Sequence, residues 1–371
     1  MKQIDLTLLL SPLSAEEAGM RTRKMGDILT EWYQTAARDL PWRRSRNPYH
    51  IWLSEIMLQQ TRVEAATPYY HRFLEALPDI PSLAAASEEQ LHKLWEGLGY
   101  YSRVRNLQKA AQQIMERYGG SLPDHYELLL DLCGIGEYTA GAVASIAFGQ
   151  AVPAVDGNVL RIMSRLLAAE GDILSPAVKK AYRSLLLKQM PADRPGDFNQ
   201  AMMDLGAGIC LPNGEPKCTS CPIQKLCLAF ERNQQRAFPV KAPKKQRRIE
   251  ERTVLLLMNN ADEVVLRQRS DEGLLAGLWE FPHEEGHLSR EKVEALLARR
   301  GAVPTKFQTL RPAKHIFTHI EWQMTGYLIR CSILPTMKGE VLADSKARRE
   351  IYTIPSAFAA FQKVLDIMEE L

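Results

Sequence analysis

Four cysteines within eighteen residues constrain the fold of this chain more than any other feature. Cys210, Cys218, Cys221 and Cys227 follow the pattern C-x7-C-x2-C-x5-C. Four thiolates packed this closely can hold a metal centre. Zinc and a [4Fe–4S] cluster both accept four thiolates. Zinc sites typically pair two Cys-x2-4-Cys knuckles across a longer spacer. Here a single close pair, Cys218/Cys221, is flanked by lone cysteines, which fits a [4Fe–4S] cube better. Spacing alone leaves zinc open. The other two cysteines, Cys133 and Cys331, sit among apolar residues and are expected to be buried, inert thiols.

The cysteines also divide the chain. At 371 residues it is long enough for two domains. From about Met25 to Gln200 apolar residues recur at helical spacing, as in Ile51–Leu58, Leu91–Leu98, Val104–Met115 and Val159–Leu167. Beta-branched runs are scarce there, so a mainly α region is expected. After a basic stretch, Lys244-Lys-Gln-Arg-Arg248, the pattern changes. Thr253–Met258, Val264–Gln268, His315–His319 and Gln323–Arg330 read as strands, and Arg290–Arg300 and Ala357–Glu370 as amphipathic helices. The expected organisation is an N-terminal extension (1–24), a helical domain (25–231), a linker (232–251) and a smaller α+β domain (252–371). The basic run reads as a solvated connector, with phosphate contact as the alternative.

The formal net charge of +3 leans only weakly towards an acidic partner. No apolar run approaches the roughly 18 residues a membrane helix needs, and acidic residues flank Leu8–Leu10, so neither a membrane span nor a signal peptide is expected. A soluble, cytoplasmic protein follows as the expectation. In that reducing setting clustered cysteines bind metal rather than form disulfides.

Three further segments carry chemistry. Leu132-Cys-Gly-Ile-Gly-Glu-Tyr-Thr139 lies between the apolar helix Tyr126–Leu130 and a small-residue helix, Thr139–Phe148. Gly134 and Gly136 permit a hairpin whose backbone N–H groups reach a phosphate at the following helix N-terminus. A plain helix–turn–helix corner reads the same way locally. Asp156 in Val155-Asp-Gly-Asn-Val159 opens a helix and is either a simple cap or a carboxylate kept ionised by the helix dipole. Glu55 is a lone acid among Trp52, Leu53, Ile56, Met57 and Leu58. It either points to solvent or faces a dry pocket, where desolvation keeps it protonated. One protonated acid and one anion is the pair that cleavage at an anomeric carbon needs.

A [4Fe–4S]-type cysteine loop, preceded by a helix-hairpin-helix with an Asp about twenty residues beyond its glycines, resembles the endonuclease III superfamily of DNA glycosylases (HhH-GPD). Within it the chain resembles the MutY family of adenine glycosylases. The resemblance rests on Pro41-Trp-Arg43, Ser54–Thr61, Gly97-Leu-Gly-Tyr-Tyr-Ser-Arg103, Gly134-Ile-Gly136, Asp156-Gly-Asn158, Phe198–Ala207, the cysteines, Gly277–Pro282 and Phe317-Thr-His319. It covers about residues 25 to 370 and implies a [4Fe–4S] cofactor on the four cysteines. It also implies a monofunctional enzyme, expected to act as a monomer. The substrate would be double-stranded DNA in which adenine is mispaired with 8-oxoguanine or guanine. By that similarity Glu55 protonates the flipped adenine, Asp156 stabilises an oxocarbenium-like sugar and Asn158 orients it. Trp42, Arg43 and Gln200 match the adenine pocket. Gln60 and Tyr100 match wedges into the duplex, and Thr61, Leu98, Gly134 and Gly136 match further DNA contacts. Relatives that also nick the strand carry a Schiff-base lysine where this chain has Tyr138, so a lyase is not expected, and Tyr138 is expected among the catalytic residues, shaping the sugar site.

The C-terminal region resembles the Nudix fold of MutT. Of the closely spaced glutamates that hold magnesium in Nudix hydrolases, this chain keeps only Glu291 and Glu294 before turning basic. Lesion recognition is therefore expected in place of hydrolysis, with Phe317, Thr318 and His319 forming the reading loop. The chain departs from the family in a seven-residue gap after Cys210, where six is usual, and in Cys133, where proline is common. Two rival functions are a non-catalytic DNA-binding Fe–S scaffold and a related glycosylase of different mismatch specificity.

Overall fold

The computed structural model describes residues 6–243 and 246–369. Lys244, Lys245 and Glu370, named above, fall outside them. In chain order the helices before the cysteine loop are α1 (Ala15–Ala36), α2 (Pro48–Met57), α3 (Val63–Ala76), α4 (Ile80–Ala85), α5 (Glu88–Trp95), α6 (Ser102–Tyr118), α7 (Tyr126–Leu130), α8 (Glu137–Phe148), α9 (Gly157–Leu167), α10 (Pro176–Gln189) and α11 (Pro195–Gly208); α12 (Leu228–Glu231) follows it. By contact the chain forms two compact units. One comprises the residues up to Ala85 with Asn106–Pro243, the other Ala86–Arg105 with the residues after Pro243, so the division falls inside the expected linker.

Local chemistry sets the helix ends. Ser14 and Glu17 form a reciprocal capping box, so α1 starts inside the stretch expected to be an extension. Asn47 caps α2 ahead of Pro48, and proline also opens α10 and α11. Gly149 ends α8 in the left-handed conformation. Helix α9 is the axis of the first unit: every residue from Val159 to Leu167 is buried, and it shares one core with α1, α10 and α11. Helix α8 is made of small residues because its neighbours come very close. A Cβ on Gly141 would lie 2.7 Å from the Pro153 carbonyl oxygen.

The second unit is built on a seven-stranded mixed sheet. Its elements are β1 (Arg248–Met258), β2 (Val264–Gln268), β3 (Trp279–Glu280), β4 (His283–Glu285), α13 (Arg290–Arg300), β5 (Val303–Ile316), β6 (Ile320–Ile333), β7 (Glu340–Ala343), α14 (Ser345–Glu350) and α15 (Ala359–Glu369). The path is β3-β2-β1-β6-β5, with β4 on β1 and β7 on β2. Among the described residues only the long β1–β6 pair is parallel, in register from Arg248↔Ile320 to Met258↔Arg330. Alternation along β1 divides the core in two. Val254, Leu256 and Met258 face Phe358, Phe361 and Leu365, while Leu255 and Leu257 share the other face with Val293 and Leu297 of α13.

The strand expected over His315–His319 is corrected. β5 ends at Ile316, and Phe317–His319 form the turn of a hairpin, closed by Phe317 N–H donating to the Ile320 carbonyl at 2.8 Å. The β-rich composition of this segment concealed the reversal. Among the described residues no helix is long and apolar enough to cross a membrane.

Candidate active site

Asn47 and Pro48 start α2 so that Trp52, Leu53 and Met57 go fully into the core. Glu55, on the same helix, is buried but faces a cavity of about 380 Å³. The walls come from distant parts of the sequence: Trp42 and Arg43 from the 3-10 turn Pro41–Arg43, Tyr138 from the first turn of α8, Asp156 and Asn158 from the start of α9, and Gln200 from α11. Thr61 lines the same space. An adjoining lobe adds Gln60, Gly136 and Thr139 around Glu55 and Asp156.

The Tyr138 hydroxyl donates to Glu55 Oε2 at 2.8 Å. Burial pushes Glu55 up from 4.5 to about 7; Tyr138's hydrogen bond opposes this, neighbouring Asp156 adds to it, and Arg43 opposes it again. Asp156 is differently served. Its Oδ1 accepts the backbone N–H groups of Asn158 and Val159, each at 2.9 Å, and its Oδ2 accepts Asn158 Nδ2 at 2.8 Å. The helix dipole led to the expectation of a depressed pKa. Instead burial raises it, and the hydrogen bonds and the Arg161 charge pull it back only in part. The contrast between the two acids therefore lies in their partners: three donors favour the anion at Asp156, one at Glu55.

Two buried charges that frame this cavity escaped the sequence reading. Arg161 donates to Asn158 Oδ1 at 2.9 Å, to the Gly206 carbonyl at 2.8 Å and to the Cys210 carbonyl at 2.8 Å. Asp204 pairs with Arg43 and Arg38. Asp204 is a lone charge beside Met202 and Leu205, the same signal that singled out Glu55, whereas Arg161 shares its apolar helix with a second buried arginine, Arg165.

Gly134 has φ of +74°, and a Cβ there would lie 2.6 Å from Asn106 Cβ, so the turn excludes any side chain twice over. Gly136 caps α8 with ordinary extended backbone and open space around it. These surroundings separate two expected results. Gly134→Ala should lose about 2 kcal/mol or more of stability by urea denaturation. Gly136→Ala should stay within about 0.5 kcal/mol. Cys133, expected buried, is half-exposed; its backbone N–H donates to Gln113 Oε1 at 2.8 Å. Cys331 is buried as expected.

Leu98, Tyr100, Phe317, Thr318 and His319 line a separate cavity of about 500 Å³ within the second unit. Tyr100 and Thr318 share a hydroxyl–hydroxyl hydrogen bond of 3.0 Å. His315 lies there too, its ring packed edge-on against Phe317. Gln60 and Tyr100 both hold left-handed backbone, at φ of 60° and 49°. Such strain in non-glycine residues is retained where the surroundings enforce it and often marks sites of function.

The cysteine loop follows α11. Cys210, Cys218, Cys221 and Cys227 line one cavity with Ile162, Leu205, Ile209 and Ile223. Burial pushes Cys221 up to about 12 and Cys227 to about 11, so these thiols ionise only beside a strong cation. Arg165 Nη1 donates to Cys210 Sγ at 3.2 Å, a donor suited to a thiolate. Among the described residues no three metal-ligating side chains converge as a single ion requires. A zinc ion draws its sulfurs to about 2.3 Å; a cube spreads them, one to each iron. Four thiols around one cavity are a donor set that either group accepts.

Residues 53–188 match the model of the HhH-GPD superfamily base excision DNA repair protein, and residues 253–361 match the NUDIX domain. The chain is 38% identical over 364 residues to the adenine DNA glycosylase of Mus musculus, covering 83% of this chain and 70% of that one. It is 38% identical over 352 residues to the adenine DNA glycosylase of Homo sapiens, covering 79% of this chain and 64% of the human protein. Among solved structures, a thermostable thymine-DNA glycosylase is 29% identical with a TM-score of 0.51, covering 57% of this chain and 98% of that one. A glycosylase domain with this cavity, joined to a Nudix domain and similar to these enzymes over most of its length, belongs to the adenine DNA glycosylase family, hydrolases of N-glycosyl bonds.

Proposed function

We propose that this protein excises adenine mispaired with 8-oxoguanine, or with guanine, by hydrolysing the N-glycosidic bond of a flipped-out nucleotide and leaving an abasic site. The observation that carries it is the pair of acids in one cavity, Glu55 pushed up to about 7 and Asp156 held by three donors. Flipping brings the base out of the stack at a cost of a few kcal/mol, with Gln60 and Tyr100 as wedges to offset the lost stacking. Trp42, Arg43 and Gln200 surround the extruded adenine. Glu55 delivers a proton to the base as the glycosidic bond lengthens and then takes one from the attacking water, a dual role suited to a pKa near the working pH. Asp156 faces the developing positive charge on the sugar, and Asn158 fixes its orientation.

Tyr138 stands where strand-nicking relatives carry their Schiff-base lysine, which supports base release without strand cleavage. The four cysteines would hold a [4Fe–4S] cluster, which when bound supplies a structural clasp. Its loop carries Lys217 and Lys225 towards phosphate. The protein would act as a cytoplasmic monomer on duplex DNA.

Duplexes with adenine opposite 8-oxoguanine, guanine or thymine, treated with alkali after incubation, test this. Strand breaks are expected on the first two and only after alkali. Their absence from the first would overturn the proposal; breaks without alkali would make the enzyme a lyase. Thr318→Val removes the hydroxyl facing Tyr100 and should erase about tenfold of the preference for 8-oxoguanine over guanine, with the rate on A:G unchanged. An intact preference would remove the reading role from this loop.

A further inference from the structure

Asp204 is deeply buried, with 4% of its surface exposed, in the C-terminal half of α11. Its carboxylate is fully engaged. Arg43 approaches it as a two-pronged fork, Nη1 to Oδ2 at 2.7 Å and Nη2 to Oδ1 at 2.9 Å. Arg38 adds its Nε to Oδ1 at 2.5 Å and its backbone N–H to Oδ2 at 3.2 Å. Both arginines line the cavity that contains Glu55. We infer that Asp204 is a positioning residue for the reaction: it fixes Arg43 and Arg38 along one wall and cancels positive charge that would otherwise act on Glu55.

This inference rests on the assignment of Glu55 as the acid. The charges facing Glu55 are few. Tyr138 comes from α8, Asp156 from α9 and Arg43 from the Pro41–Arg43 turn; Arg38, Arg62 and Glu64 line the same cavity further round. Of the cationic groups, Arg43 is the one that draws the Glu55 proton off. With Arg38 it shares the one Asp204 carboxylate, which offsets one of the two positive charges, and its guanidinium lies over the Tyr33 ring at 5.6 Å. Without the carboxylate a buried guanidinium would stand uncompensated beside the acid. Glu55 would then ionise at lower pH and reach neutrality without its proton.

The test is the pH dependence of single-turnover adenine release by the full-length protein. Asp204→Asn should move the alkaline limb of the profile down by about one pH unit or more, so that it loses at least about tenfold at pH 8 and less than about threefold at pH 6. Arg43→Gln placed in the Asp204→Asn background removes the stray charge and should return that limb towards its original position, even if adenine binding weakens. Asp204→Glu, which keeps the charge, should leave the limb in place. A loss that is the same at every pH, or a double variant whose limb stays displaced, would reduce Asp204 to a structural role and overturn the inference. Failure of the underlying assignment looks different: Glu55→Gln would then retain turnover, and the parent profile would have no alkaline limb. If Asp204→Asn does not fold, the Asp204→Glu and Arg43→Gln profiles decide, because a limb displaced by Asp204→Glu or left unmoved by Arg43→Gln would also overturn it.

Discussion

Glu55→Gln is expected to abolish adenine release while making the protein more stable at neutral pH. The glutamine keeps an oxygen for the Tyr138 hydroxyl but has no proton to give. Losing a positioned general acid typically costs 10²–10⁴-fold, and more where the same group also activates water. The stability gain follows from burial. The Glu55 carboxyl ionises near 4.5 in the unfolded chain and near 7 in the native cavity. A carboxyl whose native pKa is raised contributes stability that is whole below the lower value and is lost as pH climbs through the higher one. Across that interval, at about 1.4 kcal/mol per pH unit, the parent forfeits roughly 3 kcal/mol that the glutamine variant retains. Urea denaturation should therefore find the two proteins close at pH 5, separated by a few kcal/mol at pH 8, and no further apart at pH 9. Equal stability at pH 8 would mean that Glu55 ionises without penalty and is no acid at neutrality. The trade of stability for activity locates strain at the proposed chemistry.

The second large effect is expected at Arg161. Its guanidinium serves three buried acceptors, the Asn158 side chain and the carbonyls of Gly206 and Cys210. Arg161→Met fills the space but strands all three, which should cost on the order of 3 kcal/mol or more. The chemical consequence is larger than the loss of stability suggests. Asn158 donates to Asp156 Oδ2 at 2.8 Å, and its own oxygen is held by Arg161. Freed, it can swing, and a misplacement of about 1 Å beside the reacting centre can cost about 10²-fold. Cys210 loses its carbonyl anchor at the same time, so iron bound per chain should fall with the excision rate. Arg161→Lys should not restore either, because one ammonium cannot replace a fork that reaches three acceptors. Excision at the parent rate with full iron content would show that the bridge holds nothing in place.

Much of this site was legible in the sequence because its signals are local. Asp156 reads as a cap, and Asn158 and Val159 N–H groups do bind it. Gly134 reads as a turn residue, and its φ is +74°. Helices such as Tyr126–Leu130 and Arg290–Arg300 fall where their apolar spacing put them. What stayed hidden depends on partners far away in the chain. Asp204 and Arg38 are 166 residues apart, and Arg161 and Cys210 are 49 apart; nothing in either neighbourhood announces the other. The Asp156 pKa was misjudged for the same reason, since its helix start is local but its burial is made by the whole unit. At Phe317–His319 two long strands meet without glycine or proline, and composition alone cannot mark where they reverse.

The allegiance of Ala86–Arg105 to the second unit changes what counts as a part of this protein. On paper the chain is two beads on a string, joined at a basic connector. By contact, the earlier bead has lent twenty residues to the later one, including the strained Tyr100 that meets Thr318. A recombination event or a protease acting at the connector would thus separate a debtor from a creditor, not two finished modules. A cassette cut at the connector would leave helix α5 and its following loop behind, apart from the unit they pack with. Substitutions in Gly97–Arg105 and around Thr318 should accordingly be inherited as a set.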